Sequence, residues 1–236
     1  MSRLYCPLSL TTGQTFDLPP TAARHAQVLR LQPGASLSLF DGLGGAWQAE
    51  ITGMGRQSVQ ALVLSERELS APPTRCVTLA VGMPANERMD WLVEKATELG
   101  VARITPLMTA RGVLRFTAER AHKRQLHWQG IAQAACAQSG RNQVPVIDVP
   151  QSWSDWWSAL TTESSHHRWL LSLSEHASSL PVAQATERVM LLSGPEGGLS
   201  QEEETQAVAK GFARVTLGPR ILRAETAPLA VLSQWL

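Results

Sequence analysis

Apolar residues after position 75 come in short continuous runs that alternate with stretches of helical spacing. The runs have the length of strands and occupy residues 76–81, 102–107, 144–149, 169–173, 189–192 and 213–217. Continuous apolar strands that alternate with helices are typical of a parallel sheet covered on both faces. The pattern therefore predicts an α/β fold for this part of the chain.

Two segments between these runs show helical spacing. Residues 86–99 predict a helix, with Asn86 as its cap, Gly100 as its stop, and one apolar face made of Met89, Leu92, Val93, Ala96 and Leu99. Residues 117–139 predict a longer helix that ends at Gly140.

The first 70 residues show a different pattern, in which β-prone runs at 36–40, 46–51 and 58–64 alternate with glycine turns. The Asp41-Gly42 pair indicates a hairpin, and residues 21–31 predict a short helix. Ser-Ala-Pro-Pro-Thr at 70–74 favours an extended connector. We expect a small β domain over residues 1–71 and a larger domain over 74–236.

The composition narrows the function classes. The chain has 236 residues and a formal net charge of +1, which excludes a uniformly basic nucleic-acid coat. No apolar run approaches the roughly 18 residues of a membrane span, and residues 1–7 lack a secretory signal pattern, so we expect a cytoplasmic protein with no membrane partner. The three cysteines have no zinc-ligand spacing, so no metal is expected.

Ligands of parallel sheets bind at the carboxyl ends of the strands, which directs attention to the loops after residues 173, 192 and 217. The second of these reads SGPEGGLS at 193–200, and its glycines let a ligand approach the main chain. Ser200 and Glu203 fit a capping box that begins a helix. Three acids at 202–204 would repel a phosphate there, which favours a neutral or cationic ligand. A tight turn without function is the alternative.

The third loop reads LGPRILRAETA at 217–227 and precedes a final helix that begins at Glu225 or Thr226. Arg220, Arg223 and Glu225 fall within six residues and flank apolar Ile221 and Leu222, which suggests a cleft wall. The alternative is that each arginine only pairs with a nearby glutamate.

GPEGG at 194–198, followed by LGPRILRAETA, resembles the two C-terminal loops of the trefoil-knot (SPOUT) methyltransferases, and most closely the ribosomal RNA small subunit methyltransferase E family. RMDWLVEKATELGV at 88–101, ITP at 104–106 and AQSGR at 137–141 resemble further parts of that domain. HAQVLRL at 25–31 and LFDG at 39–42 resemble its PUA-like RNA-binding module. The family usually has Lys-Gly where this chain has Ala85-Asn86.

The resemblance implies a SPOUT-type trefoil-knotted parallel sheet domain preceded by a small PUA-like β-barrel domain. It implies methylation of N3 of a uridine in 16S rRNA of the small ribosomal subunit, with S-adenosylmethionine as methyl donor and a homodimer as the assembly. The cofactor-binding residues it implies are Leu173, Leu192, Gly194, Glu196, Gly197, Gly198, Leu217, Gly218, Ile221, Leu222, Thr226 and Ala227. Arg223 would stabilise the uridinate, and Glu225 would act as base or hold Arg223.

Charge is unevenly distributed, because residues 103–141 carry seven basic side chains against one acid, a local balance of +6. Such a strip would follow RNA phosphates, although a solvated helix face has the same composition. The RNA-binding candidates are Arg24, His25, Arg30, Arg111, Arg115, Arg124 and Arg141. The rival functions are another SPOUT RNA methyltransferase acting on tRNA or on a different rRNA base, and an RNA-binding assembly factor without activity.

Overall fold

Two β-sheets organise the chain in the computed structural model, which describes residues 2–56, 58–66, 75–85, 87–160, 166–182 and 188–235. Their surroundings form two compact units, one of Met1–Pro72 with Gln133–Val144 and one of Pro73–Ala132 with Pro145–Leu236. The connector predicted at 70–74 and the helix cap predicted at Asn86 lie outside the described residues.

The first unit is built on a five-stranded sheet in the order β1-β3-β4-β5-β2. Its pairs are antiparallel except for β1 with β3. The hairpin predicted at Asp41-Gly42 is confirmed, since Gly42 has a φ of +84° and the Asp41 carboxylate accepts the Leu43 and Gly45 N–H groups. The elements are β1 Ser2–Tyr5, β2 Thr15–Asp17, α1 Pro20–Val28, β3 Ser36–Phe40, β4 Ala46–Met54 and β5 Val59–Glu66.

The second unit is built on an eight-stranded sheet in the order β11-β13-β10-β12-β6-β7-β8, with β9 beside β7. Every pair in it is parallel, which confirms the predicted α/β class. Its strands are β6 Cys76–Gly82, β7 Arg103–Met108, β8 Val146–Ile147, β9 Gln151–Ser152, β10 His166–Leu171, β11 Ser178–Ser179, β12 Arg188–Ser193 and β13 Ala213–Thr216.

Five helices accompany this sheet in the described parts of the chain: α2 Glu87–Glu98, α3 Ala118–Ser139, α4 Trp153–Ala159, α5 Gln201–Ala209 and α6 Thr226–Trp235. The last turns of α3 belong to the first unit, where Cys136 packs against Phe40 and Ala46. No described helix is both long enough and apolar enough to cross a bilayer.

The strand predicted at 144–149 is shorter than expected and pairs only over Val146–Ile147. Pro145 and Pro150 bracket it, and proline has no N–H to donate to a neighbouring strand. Strand β10 begins earlier than predicted, at His166, because its register with β12 extends the ladder to that end.

The strand order determines where the three glycine- and charge-bearing loops emerge. Strands β13, β10 and β12 are neighbours and run in the same direction, so their carboxyl ends at Thr216, Leu171 and Ser193 lie at one edge of the sheet. The loops that follow them therefore leave the sheet side by side.

Helix α2 buries the face predicted from its spacing, with Met89, Leu92, Val93 and Ala96 fully buried, while Leu99 is partly exposed. Its polar side joins α3 through Asp90. One Asp90 oxygen accepts the indole N–H of buried Trp128 at 2.8 Å, and the other lies 2.8 Å from Nε2 of His127.

We predict that Asp90→Ala lowers the free energy of unfolding by about 1–3 kcal/mol, because the buried Trp128 N–H loses its acceptor. Urea denaturation followed by tryptophan fluorescence measures this. Glu94→Ala, which removes an exposed partner of Lys95 on the same helix, is the control and leaves the midpoint unchanged. Equal midpoints for all three proteins would contradict the role of Asp90.

Candidate functional site

The loops after β10, β12 and β13 enclose a cleft of about 350 Å³ in the second unit. Its wall includes nine of the twelve predicted cofactor-binding residues, namely Leu173, Gly194, Glu196, Gly197, Gly198, Leu217, Ile221, Leu222 and Ala227. Leucine side chains and glycine main chain both contribute to this wall, so the cleft offers apolar contact together with N–H and C=O groups.

The other three predicted cofactor-binding residues do not line the cleft. Leu192 is fully buried in the core beneath β12. Gly218 has a φ of +98° and forms the turn after β13, and Thr226 is the first residue of α6. Leu192 directly precedes cleft-lining Ser193, and Gly218 directly follows cleft-lining Leu217.

The GPEGG loop packs so tightly that a side chain would not fit at Gly194 within the loop, or at Gly82, which lies against it. A Cβ on Gly194 would lie 2.7 Å from the Leu199 nitrogen. A Cβ on Gly82, at the end of β6, would lie 2.5 Å from Cδ of Pro195. Glycine at these positions is thus required by packing, and the loop rests directly on β6.

A buried carboxylate anchors the end of this loop. The predicted capping box at the start of α5 is confirmed, because Glu203 accepts the Ser200 N–H at 2.8 Å and the Ser200 hydroxyl accepts the Glu203 N–H at 3.1 Å. Glu203 also accepts the Ala110 N–H at 2.7 Å. It therefore ties the loop after β7 to the loop after β12.

This tie brings Arg111 to the cleft, where it was expected only as an RNA contact. Its guanidinium donates to the Gly197 carbonyl at 3.1 Å and it lines the cleft wall. No sequence spacing relates residues 111 and 197, so the contact depends on the tertiary structure, in which Glu203 holds the neighbouring Ala110 N–H. The neighbouring Arg115 donates to the Thr109 and Gly112 carbonyls and stabilises the same loop.

Glu204 also lines the cleft, although the sequence marked it only as an acid that would repel phosphate. Its Oε2 lies 3.4 Å from both the Ser172 hydroxyl and Nε of Arg214. A carboxylate in the wall is a suitable acceptor for hydroxyl or ammonium groups of a ligand.

Glu196 is held at the cleft by two donors from another part of the chain. Its Oε1 accepts the Ala85 N–H at 3.0 Å and Nη1 of Arg88 at 3.1 Å. Partial burial raises the pKa of Glu196, but the Ala85 N–H and the Arg88 charge outweigh it and hold the pKa below its ordinary value. The Ala85 contact uses the main chain, so it does not require the lysine usual at this position.

The two predicted catalytic residues lie in different environments. Glu225 is 7% exposed, its Oε1 lies 3.8 Å from Nε of Arg88, and its Oε2 has no hydrogen-bond partner within the described residues. Within the described residues, Glu225 forms its ion pair with Arg88 and none with Arg223. Arg223 is exposed, next to cleft-lining Leu222 and Ala224.

The predicted RNA-binding residues divide between the two units. Arg24, His25 and Arg30 are exposed on and just beyond α1, while Arg141 is half-buried in the same unit. Arg124 belongs to the other unit and is exposed on α3.

The basic residues at 103–141 do not form one strip of free charges. Arg103 pairs with Asp148, and Lys123 pairs with Glu119 at 2.6 Å. Asp148 lies outside this segment, so its pair with Arg103 reduces the charge available to a ligand below the local balance of +6, in which Glu119 is already counted. No cluster of three or more potential metal ligands occurs within the ranges that the structure describes.

Comparison with known proteins agrees with this geometry. The model of an RNA methyltransferase domain matches residues 71–236, and the model of an RNA methyltransferase PUA domain matches residues 18–64. The ribosomal RNA small subunit methyltransferase E of Bacillus subtilis is 31% identical over 99% of this chain and 95% of its own length.

Two solved structures superpose over nearly the whole chain. The ribosomal RNA small subunit methyltransferase E of Neisseria gonorrhoeae, bound to S-adenosyl methionine, has a TM-score of 0.90 and 37% identity, with 99% of this chain and 95% of that chain covered. A methyltransferase of Legionella pneumophila in complex with the cofactor SAM has a TM-score of 0.90 and 34% identity, with 98% and 95% covered.

Fold, cleft and family models together define an RNA methyltransferase domain joined to a PUA domain. The chain belongs to the ribosomal RNA small subunit methyltransferase E family.

We predict that Gly82→Ala costs about 1–3 kcal/mol of stability, because the added methyl overlaps Pro195 and displaces the GPEGG loop. Gly130→Ala is the matched control, since a Cβ there meets nothing within 4 Å in the interior of α3. That control gains up to about 1 kcal/mol from helix propensity. Urea denaturation of both variants measures the difference, and an unchanged stability of Gly82→Ala would contradict the close packing.

Proposed function

We propose that this chain methylates N3 of a uridine in the 16S rRNA of the small ribosomal subunit, with S-adenosylmethionine as methyl donor. The observation that carries the proposal is the cleft formed by three loops at the carboxyl edge of β13, β10 and β12. The names of its relatives, and the cofactor bound in two solved ones, support the same activity.

The residues of the cleft fit this cofactor. A volume of about 350 Å³ is within the size range of small-molecule sites. Leu217 and Leu222 supply apolar surface for an adenine ring, and the glycine loop presents main-chain groups to its polar edge. Glu204 provides an acceptor for hydroxyl or ammonium groups, and the acids near the start of α5 suit a ligand that carries positive charge.

S-adenosylmethionine supplies an electrophilic methyl group to the nucleophile, and its S–CH3 bond breaks as the new bond forms. The protein must remove the proton from the uracil imide nitrogen and hold that atom in line with the methyl group. Glu225 has a buried carboxylate oxygen without a partner in the described structure, which suits a proton acceptor. Arg223 is an exposed cation beside the cleft, which suits stabilisation of the uridinate.

RNA contact in this proposal uses both units. Arg24, His25 and Arg30 are exposed in the PUA-like unit, and Arg111, Arg115 and Arg124 are exposed in the methyltransferase unit. Half-buried Arg141 completes the candidates. The target uridine would be presented unstacked, because its imide nitrogen is inaccessible within a duplex.

The proposal also includes the trefoil knot and the homodimer that the family resemblance implies. A protein that acts on 16S rRNA works where ribosomes are assembled, so a cytoplasmic location belongs to the same proposal.

We predict that calorimetry detects S-adenosylmethionine binding and that small ribosomal subunits lacking the modification accept one methyl group at N3 of a uridine. Mass-spectrometric mapping of the labelled nucleotide measures the position. Absence of cofactor binding would contradict the enzymatic proposal and favour an assembly factor without activity. A methyl group on tRNA or on another base would overturn the substrate.

Arg223→Ala is expected to lower turnover by at least about 100-fold while cofactor affinity stays close to that of the unmodified chain, because the arginine acts on the charge that develops in the transition state. Single-turnover methylation and calorimetry measure the two quantities. Arg188→Ala is the control, since Arg188 is exposed at the opposite end of β12 from the cleft. Normal turnover of Arg223→Ala would remove this residue from the site.

A further inference from the structure

Arg88, at the start of α2, contacts both loops that carry the proposed chemistry. Its Nη1 lies 3.1 Å from Oε1 of Glu196, in the GPEGG loop. Its Nε lies 3.8 Å from Oε1 of Glu225, in the loop before α6. The two carboxylates are 29 residues apart in sequence, and this single guanidinium lies beside both.

The two oxygens of the Glu225 carboxylate have different surroundings. Oε1 faces the Arg88 guanidinium, whereas Oε2 is buried without a hydrogen-bond partner in the described part of the chain. A buried carboxylate oxygen without a partner is costly unless a ligand or substrate completes it. Glu225 also lies between Ala224 and Ala227, which both line the cleft. Arg88 therefore lies beside one oxygen, while the other has no partner within the described residues that would compete with a substrate.

The contact with Glu196 connects the same guanidinium to the cleft wall. Glu196 lines the cleft and is additionally held by the Ala85 N–H. Arginine suits such a double contact because its planar fork carries donors on separate nitrogens, whereas the lysine ammonium is a single point charge. Nε is directed to one loop and Nη1 to the other.

Stability alone gives little reason for the contact with Glu196. The side chains of Arg88 and Glu196 are 42% and 36% exposed, and an ion pair with that degree of exposure contributes little to folding. Lys95 on the same helix also joins two carboxylates, Glu94 and Glu98, but neither of them lines the cleft. Arg88 differs from Lys95 in the location of its partners, because Glu196 lines the cleft and Glu225 directly follows cleft-lining Ala224.

We propose that Arg88 is a positioning residue that orients Glu225 toward the substrate imide and couples this orientation to the GPEGG loop of the cofactor cleft. The inference rests on the proposed methyl transfer and adds a residue to its machinery. Arg88 touches neither the cofactor nor the base in this proposal, and it acts through Glu225.

The test compares Arg88→Met, Arg88→Lys and the control Lys95→Met in single-turnover methylation of small ribosomal subunits. Arg88→Met is expected to lower kcat by about 10- to 100-fold, because a small misplacement of a reacting group has effects of that size. The dissociation constant for S-adenosylmethionine stays close to that of the unmodified protein, because Glu196 keeps the Ala85 N–H as a donor. Arg88→Lys, which retains the charge but not the fork, recovers part of kcat, and Lys95→Met behaves as the unmodified protein.

A double-variant cycle with Glu225→Gln separates positioning from a general structural effect. If Arg88 acts through Glu225, adding Arg88→Met to Glu225→Gln changes kcat by no more than about 2-fold. An equal loss of kcat with and without Glu225→Gln would overturn the inference, as would normal turnover of Arg88→Met. An equal loss in Lys95→Met would also overturn it, because the effect would then belong to any ion pair of α2.

Methylation by the unmodified protein distinguishes failure of this inference from failure of the proposed function on which it rests. If the unmodified chain does not methylate small subunits, the proposed function fails. If it methylates them and Arg88→Met does so equally well, only the role of Arg88 fails.

Discussion

The parallel arrangement of β13, β10 and β12 is the constraint on which the site depends. Parallel neighbours end at one edge of a sheet, so the loops that follow them share a space although they are far apart in sequence. The main features of the cleft follow from this edge, including the glycines of the GPEGG loop, the apolar wall of Leu217 and Leu222, and the charge of Arg220. A different strand order would place these three loops at separate parts of the sheet.

Two carboxylates, buried Glu203 and exposed Glu196, then hold these loops in place. Glu203 accepts N–H groups from Ser200 and Ala110, and Glu196 accepts an N–H from Ala85 and a guanidinium N–H from Arg88. Glu203 is removed from water and therefore requires such donors, and both acids restrain the loops that carry their partners. Glu196 and Glu203 therefore have a structural role, and their negative charge is also compatible with a positively charged ligand.

Much of the fold was predictable from local pattern. The apolar runs, the Asp41-Gly42 hairpin, the Ser200 capping box and the buried face of α2 are consequences of residues close in sequence, and the structure confirms each. The short strands β1 and β2 were missed because three or four residues carry no readable period. The composition of residues 103–141 predicts a basic strip, but it does not show that Arg103 pairs with Asp148, which lies outside the segment.

By itself, the sequence determined the class of fold, the family resemblance and the loops that form the cleft, since each of these depends on spacing or on local motif. Only the tertiary structure decided that Arg111 reaches Gly197, that Leu192 lies in the core, and that Arg88 is the cation beside Glu225. These contacts join residues between roughly 90 and 140 positions apart, or depend on which face of a strand is buried. They are produced by strand order and close packing, and no local pattern encodes them.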